Sequence, residues 1–359
     1  MIQLVIFPLE KIDTRYTGQW FSELPNSIRR YCIKNKIDLD LINLEGDIIE
    51  SNTTPGAFLN FLSTNIYKNT QVNKFFNLIN QGVIQKGCKV LFPDAWHTGI
   101  IQCKYVSDLM GLDLEIFSIY HAGSYDPQDF LGRLVEDKRW SYNAERSFYY
   151  CCKKSFFATK FHIDLFWKEL INYTYSSFVE SIVVRAGLPF DYLKNELEAY
   201  KELPKRDLIL FPHRIAPEKQ VEIFRDLAKE LPEYEFIVCQ DKTLTKHEYH
   251  TLLGQSKIVF SANLQETLGI SCYEGLLCNS IPLMPDRLSY SEIYNEDFLY
   301  PSEYTSSWEN YIENKESLKT HIRCTMNAYN YLKTRKIQLQ IDECQNFFSC
   351  EKMLKNIFE

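Results

Sequence analysis

Residues Ser256–Pro285 read SKIVFSANLQETLGISCYEGLLCNSIPLMP. The apolar run Lys257–Ser261 suits a buried strand, Ser271–Leu277 a short helix, and Ile281–Met284 a second apolar strand. Between the first strand and the helix lies a loop carrying Glu266 and Gly269, and Glu274 follows on the helix. Strand, loop, helix and strand make the repeating unit of a parallel α/β sheet, because each crossover returns the chain to the same end. Such sheets hold ligands outside the carboxyl ends of their strands. Two carboxylates flank a helix start there, and a glycine permits close backbone approach.

The same alternation extends on both sides of this stretch. Before it come DLILFP (207–212), a helix over Gln220–Glu230, EFIVC (235–239) and a short helix near His247–Leu253. After Trp308 the pattern is helical to the end. The first half has its own series: IQLVIF (2–7), the helical WFSELPNSIRRYCIKN, DLDLINL (38–44), a polar loop at Ser51–Pro55 and a helical stretch. KVLFP (89–93), a helix near Ile100–Met110, LEIFSIY (114–120), a helix over Glu145–Lys154, SFFATK and a helix from about Ile163 complete it. Between the halves, VVRAGLPFDYLKNELEAYKELPKR combines Gly187, Pro189 and Pro204 with a charged helix and suits an interdomain connection. The expectation is an α/β protein of two Rossmann-like domains facing across a cleft, 1–187 and 188–335. A C-terminal helix, 336–359, is expected to cross back to the first domain.

At 359 residues the chain is long enough for two domains of roughly 150–200 residues each. Its 40 Lys and Arg against 47 Asp and Glu give a net charge of −7, which argues against a uniformly basic coat for nucleic acid. Eleven cysteines without any C-x-x-C point to reduced thiols in a cytoplasm and to neither a disulfide framework nor a zinc site. The N-terminus reads as a first strand and not as a signal peptide, and no apolar run of membrane-spanning length occurs. D-x-D occurs once, at Asp38–Asp40, within an alternating strand whose acids should face solvent, so no catalytic metal is expected.

Residues that follow strands are the candidates for chemistry. After 207–212 comes PHRIAPEKQ, with Arg214 and Lys219 flanking a loop that opens a helix. Two cations at a helix N-terminus suit a diphosphate, and two solvated surface cations are the plainer reading of the pair alone. Glu274, in the first helical turn, equally suits a partner for the helix dipole. FPDAWHTG (92–99) places Asp94, Trp96 and His97 after another strand, where a carboxylate and an aromatic ring suit a sugar or base, although Trp96 also suits a core. His121 opens HAGSYDP, which also holds Tyr125 and Asp126.

R-x4-K after one strand and E-x7-E after a later one, followed by a small-residue helix and I-P-L, resemble the retaining GT-B glycosyltransferases of the large family that includes sucrose synthase. The resemblance covers the second domain well and the first more loosely. It implies a nucleoside diphosphate sugar as donor, a UDP-sugar first, with no further cofactor required. Arg214 and Lys219 would hold the diphosphate, Glu266 the transferred sugar and Glu274 the ribose. Thr267, Leu268, Gly269 and Ile270 would line the phosphates, and His121 would lie against the sugar. Gly18, in YTGQW, stands where the family has a glycine-rich turn, and Ala-Gly-Leu-Pro replaces the family's Pro-Asn-Gly hinge. On this reading the leaving phosphate oxygen takes the acceptor's proton and no separate base is needed.

A narrower resemblance concerns the acceptor. YTGQW, DAWHTGI, YHAGSYDPQDFLGR and PDRLSY together look similar to glycosyltransferases encoded by tailed phages, some of which decorate hydroxymethylated DNA bases. Residues 138–168 hold seven Lys or Arg (138, 139, 146, 153, 154, 160, 168) against Glu145 and Asp164, interleaved with aromatics, a pattern that suits a phosphate backbone. Solvated helix faces are the plainer reading of those cations. The favoured acceptor is therefore a 5-hydroxymethylcytosine-type base in double-stranded DNA, in the host cytoplasm, with Asp94, Trp96, His97, Tyr125 and Asp126 as acceptor candidates. A glycan or lipid-linked saccharide is the alternative acceptor, and an inactive sugar-nucleotide-binding subunit the alternative of another class.

Overall fold

The computed structural model describes residues 1–12, 16–49, 59–171 and 182–359. The polar loop expected at Ser51–Pro55 lies outside the described residues. Two compact units form, Met1–Pro189 with Ser349–Glu359, and Phe190–Phe348.

The first unit is built on β1 (Ile2–Ile6), β2 (Leu39–Asn43), β3 (Lys89–Phe92), β4 (Glu115–Ile119), β5 (Lys154–Phe157) and β6 (Val183–Arg185). They join in the order β2-β1-β3-β4-β5-β6, every pair parallel. Side chains two apart share one face of a strand, so Val5 and Phe7, and Val90 and Phe92, point the same way. They pack with Phe75 and Ile79 of the helix Phe61–Asn80, Ile100 and Cys103 of the helix Gly99–Met110, and Phe148. Each such buried side chain contributes about 2 kcal/mol. A second cluster gathers Tyr120, Tyr149, Phe157, Phe166 and Leu170.

Two expectations are corrected here. Val183–Arg185, assigned to the interdomain connection, is the sixth strand, with Ser155 opposite Val183 and Phe157 opposite Arg185. The β-branched Val183 and Val184 fit the open edge of β5, whose backbone groups need partners. The helix expected from Glu145 begins at Lys138, because the Asp137 side chain accepts from the Arg139 N–H at 3.0 Å and caps it.

The second unit carries β7 (Leu208–Phe211), β8 (Glu235–Val238), β9 (Ile258–Phe260), β10 (Ile281–Pro285) and β11 (Leu299–Tyr300), in the order β11-β10-β9-β7-β8, again all parallel. β7 and β9 are wholly buried, which is why their sequences are unbroken apolar runs and not alternating ones. Pro282 is tolerated inside β10 because Ile281 donates to Lys257 O and Leu283 accepts from Ser261 on the β9 side. The donor that proline lacks then faces the other edge, where β11 pairs only with Met284 and Pro285. Lys205 donates to Ser256 O (2.9 Å), Cys278 O (2.7 Å) and Ser280 Oγ (3.0 Å) and ties three segments together, and burial lowers its pKa to about 7.

Four helices, Trp308–Asn327, Tyr329–Arg335, Ile337–Phe348 and Glu351–Phe358, end the chain. Within the first unit the last of them packs on the helix Tyr16–Lys34, with the Phe358 and Tyr31 rings 5.9 Å apart and Lys34 Nζ 3.3 Å from Glu351. All eleven cysteines are free thiols, and all but Cys151 and Cys324 are buried. No described helix is long and apolar enough to cross a membrane.

Candidate functional site

In the second unit, β7 lies between β8 and β9, so the crossover from β7 goes one way and the crossover to β9 returns past it. The segments that leave β7 and β9 therefore flank one crevice at the strands' carboxyl ends. β7 runs into Pro212, His213 and Arg214, then a single 3-10 turn, Pro217–Lys219, and the helix Val221–Glu230. β9 runs into the loop 261–269 and the helix Ile270–Leu277. Gln220, at φ 52°, sends its amide to Ala262 O (2.5 Å) and Thr305 O (2.7 Å), and Leu264 N–H donates to Glu218 O at 2.8 Å. These bonds join the two loops. The half-buried Arg287 guanidinium braces the second loop by donating to Ala262 O and Asn263 O, both at 2.8 Å, and to Ser302 O at 2.9 Å.

Lys219, 7% exposed, donates to Gln265 O at 2.7 Å and lies 3.4 Å from Glu266 Oε2. Glu266 also accepts from Thr267 N–H (3.1 Å), Leu268 N–H (3.4 Å) and Asn263 Nδ2 (3.4 Å). Burial works against its ionisation, but the charge of Lys219, the nearby His213 and the Leu268 and Gly269 amides outweigh it and hold the carboxyl below its usual value. Gly269 has φ +81°, and a Cβ there would meet Tyr290 Cε1 at 2.8 Å. The helix that follows has no side-chain cap, so its first N–H groups are open to a ligand. Arg214 pairs with Glu218, Nε to Oε1 at 3.1 Å, and Glu218 is buried. Burial would raise the Glu218 carboxyl, and Arg214 keeps it ionised.

Glu274 sits further along the helix, where the Tyr249 hydroxyl donates to Oε2 at 2.7 Å. Burial pushes its pKa up to about 7. The two acids of E-x7-E thus stand in opposite electrostatic settings, one beside a lysine and one beside a phenol. Thr267, Leu268 and Ile270 lie on the same loop and helix start.

In the first unit the strand order reverses between β1 and β3, and the loops after β3 and β4 carry the other candidates. Asp94 accepts from Lys68 Nζ (2.7 Å) and Trp96 N–H (3.0 Å); burial opposes its charge, and Lys68 and His121 more than compensate, lowering it to about 2. Trp96 donates through Nε1 to the buried Glu145 at 2.6 Å. His121 donates Nε2–H to Pro93 O at 2.7 Å, which fixes its tautomer, and its ring lies 5.3 Å from that of Trp20. His97 is buried with both nitrogens engaged, Nδ1 by Gly99 N–H (3.0 Å) and Nε2 by Gln71 (3.2 Å). The Tyr125 hydroxyl meets His162 Nε2 at 2.6 Å inside the core, and Asp126 Oδ1 accepts from Gln128 N–H at 2.9 Å in a turn. His97, Tyr125 and Asp126 are therefore held by the fold. Gly18 is in the first turn of the helix Tyr16–Lys34 and not in a glycine turn ahead of it. Asp38 is paired with the N-terminus at 3.6 Å and Asp40 with Gln3 at 2.8 Å.

No family model matches the chain. In structure it is similar to a glycosyltransferase from Rickettsia africae ESF-5, at 14% identity and TM-score 0.57 over 99% of this chain and 96% of that one. It is similar also to the catalytic domain of starch synthase IV from Arabidopsis thaliana bound to ADP and acarbose, at 11% identity and TM-score 0.57 over 99% and 97%. The pneumococcal O-GlcNAc transferase GtfA, in complex with UDP and GlcNAc, matches at 13% identity and TM-score 0.50; 80% of this chain is covered, and it spans 58% of that longer protein. The fold is GT-B. At these identities the likeness is one of architecture, two parallel-sheet α/β units and a helical C-terminus.

Within this GT-B chain the sequence reading missed five side chains: His213, Glu218 and Arg287 in the second unit, and Lys68 and Glu145 in the first. Among the described acids of the first unit Glu145 is the most buried; it accepts from Ser124 N–H (2.9 Å), Ser124 Oγ (2.7 Å) and Trp96, and burial moves it up to about 7. Read as an ordinary helix acid, it left no signal. His213 stood inside the quoted PHRIAPEKQ, one residue before Arg214.

Proposed function

We propose that the chain is a retaining glycosyltransferase that moves a hexosyl or pentosyl group from a nucleoside diphosphate, a UDP-sugar first, to an acceptor hydroxyl. The observation that carries this reading is the Lys219–Glu266 pair at the β7/β9 crevice, next to the uncapped start of the helix Ile270–Leu277 and to Arg214. A diphosphate leaving group develops charge as the bond to the sugar breaks. Arg214, Lys219 and the N–H groups following Gly269 stabilise it, a kind of help worth about 3 kcal/mol per donor. Glu266, ionised beside Lys219, orients the sugar hydroxyls, and Glu274 takes the ribose. The anomeric carbon loses its bond to the phosphate oxygen and gains one to the acceptor oxygen on the same face, and the acceptor's proton passes to the departing phosphate.

For the acceptor we propose the hydroxymethyl group of 5-hydroxymethylcytosine in DNA, supported by the likeness to tailed-phage enzymes and the basic surplus over 138–168. A saccharide acceptor is the second reading, and a specific observation favours it. Lys153, Lys160, Lys168 and Arg139 of that surplus pair with Glu115, Asp164, Glu169 and Asp137, while Lys138 and Arg146 donate to the carbonyls of Ser124 and Leu170.

A donor-hydrolysis screen across nucleotide sugars, repeated with hydroxymethylcytosine DNA and with soluble oligosaccharides, tests both levels. Nucleotide release stimulated by the DNA supports the first acceptor, and stimulation by oligosaccharide alone replaces it with the second. Binding of a nucleotide sugar with no turnover on any acceptor would point to a binding subunit and overturn the enzyme reading. The anomeric configuration of the product, read by NMR, tests retention.

A further inference from the structure

We infer that the exposed indole of Trp140 is a stacking platform for a pyranose ring of a saccharide acceptor, held in place by Trp96. The inference rests on the sugar-transfer reading above and takes the second of its two acceptors.

The helix Lys138–Cys151 lies between β4 and β5 in the chain and runs back along the sheet, so its first turn stands at the carboxyl ends of the strands. Trp140 is in that turn, and Trp96 follows β3, the neighbour of β4. The two rings meet at 6.2 Å with their planes at 79°. In a perpendicular pair one ring turns its edge to the face of the other. Whichever supplies the edge, at least one face of Trp140 stays clear of Trp96. Trp140 is 52% exposed.

A single exposed aromatic ring needs no explanation on a protein surface. What sets Trp140 apart is its support. Trp96 donates its backbone N–H to Asp94 (3.0 Å), accepts from Lys68 Nζ at its carbonyl (2.5 Å), donates its indole N–H to Glu145 (2.6 Å) and packs on Phe148 at 5.6 Å. Glu145 also accepts from the N–H and the hydroxyl of Ser124, and Lys138 donates to Ser124 O at 3.2 Å. The loop after β3, the loop after β4 and the start of the helix are thereby tied together around one buried carboxyl. A ring whose position is set before binding loses little freedom when a ligand covers it.

Charge decides the chemistry of that ligand. The face of an indole is negative and attracts the weakly positive C–H groups that line a face of a pyranose, while the sugar's hydroxyls point to the rim. A phosphate backbone needs cations that it can engage. Those beside the ring already have partners: Arg139 lies 3.7 Å from Asp137, and Lys138 and Arg146 donate to backbone carbonyls. An uncharged saccharide makes no claim on them.

Calorimetric titration of the full chain measures binding of maltohexaose, cellohexaose and N-acetylchitohexaose, and of a DNA duplex carrying hydroxymethylcytosine. The wild type is expected to bind at least one hexasaccharide, Trp140→Ala to bind it roughly ten- to fiftyfold more weakly, and Trp140→Tyr, which keeps a ring, to stay within about fivefold. Tyr150→Ala removes a similarly exposed ring about 15 Å further along the same helix and should change the affinity by less than about twofold. Cooperative thermal melting establishes that each variant is folded. In nucleotide release stimulated by the same saccharide, the Trp140→Ala loss should appear in KM. A folded Trp140→Ala protein that binds the hexasaccharide like the wild type, a Tyr150→Ala protein that loses as much, or a wild type that binds none of the three overturns the platform. DNA bound through Trp140 in their place overturns it in favour of a nucleobase. Saccharide bound through Trp140 without turnover of any nucleotide sugar overturns the donor reading and leaves the platform standing.

Discussion

Replacing Glu274 with Gln keeps the side chain's shape and an acceptor oxygen for the Tyr249 hydroxyl, 2.7 Å away, and removes the titration. In the wild type, burial raises this carboxyl from 4.5 to about 7; the Tyr249 bond pulls it down, Glu196 adds to the rise, and Lys246 opposes it. A carboxyl whose folded value exceeds its unfolded value binds its proton more tightly in the native state. The resulting penalty is absent below about pH 4.5, grows as the pH rises, and is complete above about pH 7. The difference amounts to roughly 3 kcal/mol at 1.36 kcal/mol per pKa unit. Glu274→Gln should therefore be more stable than the wild type by roughly 3 kcal/mol at pH 8 and by under about 1 kcal/mol at pH 5. For a unit of this size that is a gap in melting temperature on the order of 5–10 °C at pH 8, closing toward pH 5. Scanning calorimetry of both proteins at unit pH steps measures it, and Glu145, present in both, cancels in the difference. A nucleotide ribose adds a second consequence, because its hydroxyls donate and an ionised carboxylate accepts them best. UDP affinity should then rise more steeply with pH between 6 and 8 in the wild type than in the variant, the titration of the UDP terminal phosphate being common to both. A melting gap that does not change from pH 5 to 8, or one that reverses, would refute the assignment of a carboxyl at position 274 whose pKa is raised mainly by desolvation.

Lys219→Met removes the cation 3.4 Å from Glu266 Oε2 and one donor to the diphosphate; turnover with the preferred nucleotide sugar should fall by about a hundredfold or more, read as coupled nucleotide release. Gly269→Ala places a Cβ 2.8 Å from Tyr290 Cε1 at a residue with φ +81°, so urea unfolding should show a loss of about 1–3 kcal/mol. Arg287→Met removes the guanidinium donor from the carbonyls of Asn263 and Ser302 and one of the two donors, the other being Gln220, from that of Ala262. It should cost about 3 kcal/mol and speed amide exchange over 261–269, while exchange in β8 stays near the wild-type rate.

Much of the fold is legible because its strands are buried on both faces. LILF at β7 and IVF at β9 can be read directly, since a strand with two buried faces has no polar residue to confuse its pattern. Val183–Arg185 was harder, because three residues next to Gly187 and Pro189 look like a linker until β5 offers them an edge. The acceptor candidates show a different limit. Asp94, His97 and Tyr125 all follow strands, yet whether such a residue faces a ligand or its own core depends on Lys68, Gln71 and His162, which are distant in sequence. Charge counts have the same weakness: the surplus at 138–168 is real in composition, but Glu115, Asp137 and Glu169, which pair with Lys153, Arg139 and Lys168, lie outside that stretch.

The proposed donor site shows why this should be so. Arg214, Lys219 and His213 leave β7, whereas Glu266 and Gly269 leave β9, and β8 separates them in sequence. In the sheet β8 is displaced to the far side of β7, and β7 and β9 become direct neighbours, with Ile209 opposite Ile258. Only that exchange of order brings a lysine and a glutamate from two loops within 3.4 Å. R-x4-K and E-x7-E can each be read as a spacing, but the property that makes them one site belongs to neither spacing. It belongs to the reversal of strand order.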